Sequence, residues 1–407
     1  MLKILHTADW HLGVRLHKKE LVEDHRYFFE FLIKTIQERK IDVLLVSGDI
    51  FDHANPSQEA MQQYYDVLMQ LHKTDCKVIL TGGNHDSPAI LNMTRSFLKV
   101  MDIHVIGRAE RNLAEQIIPV YGKEQEPKAI ICAVPYLRES DIRRSEAGET
   151  QEEKQEKRKE GMVRHFSELV SLASATYTNK PILLMAHLFA AGADTKEQKR
   201  DITIGGLDSF SAADFPNNCL YVALGHIHRP MEINGQKHIR YSGSPVALSF
   251  SEKEQTKQLV EIYIADNKIT DIHPVEIPLQ RKLIKFSGSF SEVKNQVESF
   301  TNSLPLKAFA ELDIIETNTD LDLPMKVHEL VTSYSKEQLE ILTYKYSRTG
   351  IIKGDKADDR ADIESWTEYE VLEAKMNEED IVEEDRILIR SAFDELLMNI
   401  ESGHENQ

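Results

Sequence analysis

Five apolar runs of this sequence end in side chains able to bind a cation. They are T-A-D-W-H (Asp9, His11), S-G-D-I-F-D (Asp49, Asp52), G-G-N-H-D (Asn84, His85), M-A-H (His187) and G-H-I-H (His226, His228). Together they offer carboxylate oxygens, one amide oxygen and several imidazoles, and no thiolate. That mixed oxygen and nitrogen set suits Mn²⁺, Fe²⁺, Zn²⁺ or Mg²⁺ rather than a thiolate-rich structural zinc site. Taken singly, most of the segments are weak: D-x-H is more often a surface pair, and G-D after a strand is commonly a turn. His187 alone reads as easily as a satisfied core histidine. G-H-x-H is rarer, because it brings two imidazoles to one buried edge. Five such segments, each closing a strand-like run, point to a metal site.

The stretch from Gly82 to Pro88, G-G-N-H-D-S-P, separates two kinds of chemistry. Turn formation explains its Gly, Asn, Asp and Pro, but not its histidine. Asn84 can offer only a neutral carbonyl oxygen, which suits a ligand and exchanges no proton near neutral pH. The imidazole of His85, unlike an amide, can carry and donate a proton. Asp86 is expected to orient His85 or to cap the turn.

The elements that must position these residues are legible as an alternation. Strand candidates are "LKILHTA", "DVLLVSG", "CKVILTG", "AIICAVP", "PILLMAH", "LYVALGH" and "IRYSGS", short and rich in Val, Ile and Leu. Between them "VEDHRYFFEFLIKTIQERK" and "SQEAMQQYYDVLMQLHKTD" repeat apolar residues at three and four, as amphipathic helices do. The alternation predicts an α/β fold with sheets buried on both faces. Parallel strands bring their C-terminal ends to one edge, so residues far apart in sequence would converge there. The charged run from Ser145 to Gly161 is expected to be a solvated helix or loop insertion.

Near Pro274 to Pro278 the texture changes to strand, helix, strand, helix, strand, a small α+β unit. After Gly350 a polar linker leads into an acidic tail. The expected boundaries are 1–275, 276–350 and 351–407. In the tail, Ile387, Ile389, Phe393, Leu396, Leu397 and Ile400 form an apolar stripe that needs a surface to cover it.

Composition bounds the function. With 407 residues, 41% hydrophobic and 29% charged, the chain is an ordinary globular protein with more than one core. No apolar stretch approaches the roughly 20 residues needed to span a bilayer, and the N-terminus has no signal-peptide pattern. Cys76, Cys132 and Cys219 are dispersed in apolar runs, as buried, reduced thiols of a cytoplasmic protein would be. The net charge is −18, and the segment from Asp355 onward holds 18 acidic against 5 basic residues. Such a chain does not grip nucleic acid by bulk electrostatics. Bound divalent cations or a basic partner would have to screen the repulsion.

In order, D-x-H, G-D, G-N-H-[DE], H and G-H-x-H resemble the calcineurin-like binuclear metallophosphoesterases. "ILHTADWHLG", "GDIFD" and "YSGSPVALSFSE" (Tyr241 to Glu252) are similar to the DNA-repair exonuclease branch of that superfamily, over about residues 1–275. The resemblance implies a four-layer β-sandwich flanked by helices, a smaller α+β capping domain and a helical acidic tail. It implies that Asp9, His11, Asp49 and His228 hold one divalent ion, and Asn84, His187 and His226 a second. Asp49 would bridge the two by offering an oxygen to each. The implied metal is Mn²⁺, with Mg²⁺ or Fe²⁺ as alternatives. His85 would protonate the leaving oxygen or steady the phosphate.

The implied activity is double-strand exonuclease and single-strand or hairpin endonuclease, in DNA repair, recombination and replication. The implied partners are DNA ends and hairpins, an SbcC-like coiled-coil ATPase, and a second copy of the chain within a heterotetramer. Pro88 to Val100 would carry the contact between copies. No membrane is involved, and the location is cytoplasmic and nucleoid-associated. The chain has no G-x-x-x-x-G-K-[ST], so any ATP dependence would come from the partner. One departure from the superfamily is His53 after Asp52, where phosphatases usually carry an arginine. That argues against a phosphomonoesterase. A phosphoesterase acting on cyclic nucleotides or phosphoproteins stays open, whereas an inactive scaffold is disfavoured because every ligand position is filled.

Overall fold

The computed structural model describes residues 1–122, 126–143, 148–190, 210–316, 322–334 and 337–348, together with Arg386 and Phe393. In chain order, the first elements are β1 (Leu2–Thr7), a small hairpin of β2 (Arg15–Leu16) and β3 (Lys19–Glu20), α1 (Val22–Arg39), β4 (Val43–Ser47) and α2 (Gln58–His72). Next come β5 (Lys77–Thr81), α3 (Pro88–Met93), α4 (Arg95–Val100), β6 (Ile103–Ile106), β7 (Ile117–Tyr121), β8 (Pro127–Ala133), α5 (Glu139–Ile142) and α6 (Gln151–Thr176). Then follow β9 (Ile182–His187), β10 (Cys219–Gly225), β11 (Met231–Ile233), β12 (Gln236–Tyr241), β13 (Gln258–Ala265) and β14 (Lys268–Glu276).

Two six-stranded sheets result, ordered β14-β13-β1-β4-β5-β6 and β11-β12-β10-β9-β8-β7. In the first, β1, β4, β5 and β6 are mutually parallel; in the second, β8, β9, β10 and β12 are. Side chains alternate between two faces of each strand, and here both faces are covered. Ile4, Val43, Leu45 and Ile79 share a core with Leu183, Met185, Tyr221 and Ala223 of the other sheet. Their neighbours Leu5, Leu44, Val78 and Leu80 pack with Phe28, Leu32, Val67 and Leu68 of α1 and α2. On the far side Ile182, Leu184, Val222 and Leu224 pack with Phe166, Leu169 and Val170 of α6. The layers are helix, sheet, sheet, helix, as expected, and double coverage explains the continuous apolar runs. Each fully buried aliphatic side chain contributes about 1.5–3 kcal/mol, so these cores supply most of the energy that fixes the sheets against each other.

The seven expected strands are β1, β4, β5, β8, β9, β10 and β12. The expectation missed the short β2, β3 and β11 as well as β6, β7, β13 and β14. β6 has only four residues, and β7 and β14 each pair at a sheet edge with one antiparallel neighbour, so polar residues interrupt them. The charged run enters α6, whose Thr150 and Glu153 form a reciprocal N-terminal cap.

The last described segment is β15 (Leu283–Gly288), α7 (Phe290–Ser299), β16 (Ala308–Glu316), α8 (Leu323–Ser333) and β17 (Leu339–Arg348), a parallel three-stranded sheet with its own core around Val293, Leu312 and Val327. It is not detached from the sandwich. Leu283 and Phe309 belong to the core beneath α1, and Arg281 Nε donates to Asp24 at 2.9 Å. Residues 1–349 form one compact unit and 350–407 another. Apart from Arg386 and Phe393, the tail and its apolar stripe lie outside the described residues. Among the described residues no helix is long and apolar enough to cross a membrane.

Candidate metal centre

The carboxyl ends of strands from both sheets meet at one edge. β1 delivers Asp9 and His11, β4 delivers Asp49 and Asp52, and β5 delivers Asn84, His85 and Asp86. From the second sheet, β9 ends on His187, and β10 is followed by His226 and His228. The chain turns sharply after these strands. Asp9 (φ 54°), His11 (48°), Asp49 (49°) and His226 (107°) all occupy the left-handed region, at a cost of order 1–3 kcal/mol each. Backbone bonds from Asp9 N–H to Gly48 and from His11 N–H to Asp49, both 3.0 Å, help to hold them. Gly48 lies at φ 87°, and a Cβ there would collide with the His187 ring. A Cβ on Gly83 would overlap Asp49. Both glycines are needed for close approach.

Asp49 sits at the centre. Its Oδ2 lies 3.2 Å from His187 Nε2 and 3.6 Å from His11 Nε2, while Oδ1 accepts the His85 backbone N–H at 3.0 Å. Asn84 Oδ1 is 3.0 Å from His187 Nε2 and 3.0 Å from His226 Nδ1. Asp9 Oδ1 accepts the His226 backbone N–H at 2.8 Å. The His11 ring packs edge-on against both His228 and His85, with centroids 4.9 Å apart in each case. Every expected ligand is therefore within this cluster. Groups of donor atoms mutually within 4.8 Å are Asp9, His11 and Asp49; Asp49, His187 and His226; and His11, Asp52 and His85.

The donor set fits cations. His187 Nδ1 is 2.9 Å from the Ser47 carbonyl, so in a neutral ring the proton sits there. The Nε2 lone pair then faces oxygen lone pairs of Asn84 and Asp49, an arrangement that needs a proton or a cation between them. Asp9 Oδ2 and His11 Nε2 are buried with no hydrogen-bond partner among the described residues. Spacings of 3.0–3.6 Å are those of neighbouring ligands on one small ion, which in an octahedron of roughly 2.1 Å bonds stand about 3 Å apart.

Protonation follows the same geometry. Burial alone would lower the His187 imidazole, but the adjacent Asp49 carboxylate holds it up to about 9. Burial would raise Asp49, yet His187 and His11 beside it keep it well below the usual carboxylate range. Burial raises Asp9. Burial, then the charge on His187, pushes His226 down to about 3. A divalent ion would replace the protons that these groups otherwise share.

Two expectations are refined. The resemblance implies that Asp49 offers an oxygen to each ion; in the structure Oδ2 faces both imidazoles and Oδ1 accepts the His85 backbone N–H. Asp86 caps rather than orients: its carboxylate accepts N–H from Ile50 (3.0 Å), Phe51 (2.9 Å) and Gly83 (2.7 Å). His85 is oriented by the Asp52 carbonyl, 2.7 Å from Nδ1.

Three further residues escaped the sequence reading. Glu252 Oε1 lies 3.4 Å from His228 Nδ1, and Lys257 Nζ lies 2.5 Å from Glu252 Oε2. On the rim, Arg138 Nη2 donates to the Asp86 carbonyl at 3.0 Å, next to His85. No spacing rule links residues 228, 252 and 257.

Comparison with known proteins agrees with this geometry. The model of the calcineurin-like phosphoesterase family matches residues 2–230. The chain is 29% identical over 407 residues to the Escherichia coli K12 protein named as the D subunit of nuclease SbcCD, covering 99% of this chain and 100% of that one. It is 35% identical over 264 residues to a Rhodobacter capsulatus protein of the same name, covering 62% and 64% respectively. The matched residues 2–230 contain all five strand-end segments, from Asp9 to His228, and the chain belongs to the calcineurin-like phosphoesterase family.

Proposed function

We propose that this chain is the nuclease subunit of an SbcCD-type complex. It hydrolyses DNA phosphodiesters, as a double-strand exonuclease and a single-strand or hairpin endonuclease, together with an SbcC-like coiled-coil ATPase. One observation carries the reading: Asp49 Oδ2 faces His11 and His187 in a chain that is similar to a named nuclease subunit over its whole length.

Asp9, His11, Asp49 and His228 would hold one divalent cation, and Asn84, His187 and His226 a second, with Asp49 shared. Mn²⁺ is the proposed ion, since it accepts carboxylate, amide and imidazole donors together. Bound cations supply a nucleophilic water and neutralise charge on the phosphodiester.

The chain's own groups do the rest. With Nδ1–H donating to the Asp52 carbonyl, His85 turns Nε2 outward, and the doubly protonated ring gives its Nε2 proton to the leaving oxygen, a role contributing roughly 10²–10⁴-fold. Arg138, fixed beside it by the Asp86 carbonyl, meets a phosphate. The acidic chain gains attraction for DNA only from such fixed positive groups and from the cations.

A second copy of the chain packs against α3 and α4, where Met93, Phe97 and Val100 are exposed. The buried, unpaired Cys76, Cys132 and Cys219 support a reducing, cytoplasmic location, and the proposed substrate would place the protein near DNA. The test is cleavage of hairpin and blunt duplex DNA, with Mn²⁺ or Mg²⁺, with and without the ATPase. Hydrolysis of bis-p-nitrophenyl phosphate without any DNA cleavage would overturn the reading in favour of another phosphodiester substrate.

A further inference from the structure

The segment between β12 and β13 leaves the second sheet and enters the first along the edge that carries the cluster. It brings two buried, oppositely charged side chains, Glu252 and Lys257, against His228. Glu252 Oε1 lies 3.4 Å from His228 Nδ1. Its Oε2 accepts from Lys257 Nζ at 2.5 Å and from the Leu248 N–H at 3.2 Å. Lys257 Nζ also donates to Ser244 Oγ at 2.9 Å, the Gln255 side chain at 3.2 Å and the His228 carbonyl at 3.3 Å. One ammonium thus fixes both the carboxylate and the backbone of the histidine that the carboxylate faces.

We infer that Glu252 is a positioning residue for His228: its carboxylate accepts from Nδ1–H, which keeps the proton on Nδ1 and leaves the Nε2 lone pair for a cation, with Lys257 holding Glu252 in place. The inference rests on the reading of His228 as a cation ligand. Burying a charged pair costs several kcal/mol of desolvation per ion, and packing alone could be served by apolar side chains. A carboxylate on the far nitrogen of a metal-binding imidazole fixes its tautomer and raises its basicity. His11 has the same arrangement, with Nδ1 3.1 Å from Asp52 Oδ1 and Nε2 left as a buried atom without a hydrogen-bond partner among the described residues. At His187 the nearest atom to Nδ1 is instead the neutral Ser47 carbonyl at 2.9 Å, with the Asp9 carboxylate farther off at 3.8 Å. His11 and His228 are therefore the two whose Nδ1 has a carboxylate as its near partner.

The test is calorimetric titration of the metal-free full chain with Mn²⁺ alone, with thermal melting of the same samples. His228→Ala is expected to abolish one of two binding events. Glu252→Gln is expected to keep both and to weaken that same one by about 10–100-fold, leaving the other unchanged. Should Glu252→Gln fail to melt cooperatively, Lys257→Met carries the same site-selective expectation, because Glu252 then loses its anchor. Equal weakening of both events, or of neither, overturns the inference while the ligand reading stands. If His228→Ala keeps both events at full affinity, the ligand reading beneath it falls.

Discussion

The backbone N–H of His85 donates to Oδ1 of Asp49 at 3.0 Å, while Oδ2 of that carboxylate faces the Nε2 atoms of His187 and His11. One oxygen positions the residue proposed to move a proton, and the other faces the imidazoles proposed to hold the ions. A single side chain thereby touches both the His85 turn and the two imidazoles.

Asp49→Ala is expected to reduce bound metal from about two ions per chain to one or none, because both would lose the shared oxygen. Elemental analysis after gel filtration reads this directly. Two ions at full affinity in the variant would exclude the bridge.

Asn84 and His85 are expected to give opposite signatures. Asn84→Ala removes the oxygen facing both His187 and His226 and should weaken one metal. His85→Ala should retain both metals and DNA binding but lose cleavage by roughly 10²–10⁴-fold. Metal analysis beside a nuclease assay separates them, and loss of metal from His85→Ala would make that residue a ligand.

Asp86→Ala should act on stability first. Three backbone N–H groups, of Ile50, Phe51 and Gly83, lose their acceptor inside the protein. With about 1–3 kcal/mol for each buried donor left unpaired, a loss on the order of 3 kcal/mol is expected in urea unfolding. A change under about 0.5 kcal/mol, the usual size for a surface substitution, would mean the turn holds without it.

Removal of residues 351–407 is expected to leave phosphodiester hydrolysis intact and to abolish co-purification with the ATPase. The motive is the apolar stripe from Ile387 to Ile400 on an acidic background. A truncated chain that still binds its partner at full affinity would place the contact elsewhere.

Much of the fold, and which side chains cluster at the strand ends, was legible because the signals are local. A strand buried on both faces must be apolar throughout, so β4 and β9 announce themselves. Polar residues that close such strands, Asp49 and His187 among them, have few structural reasons to be there. Fainter signals came from β7 and β14, whose positions at sheet edges admit polar side chains and whose patterns therefore resemble loops.

What the sequence by itself determined was the chemistry: which oxygen and nitrogen donors stand at strand ends, and that strands alternate with helices in an α/β order. Only the tertiary structure decided how the donors meet. The face-to-face stacking of the two sheets brings His187 and His226 of one to Asp49 and Asn84 of the other. It also decided that Oδ2 of Asp49 faces both His11 and His187, that Asp86 braces backbone, and that Glu252 and Lys257 stand behind His228. These are distances between atoms from segments far apart in the chain. They arise from packing of the sheets and from the path of one connecting segment, and no residue type or spacing encodes them locally.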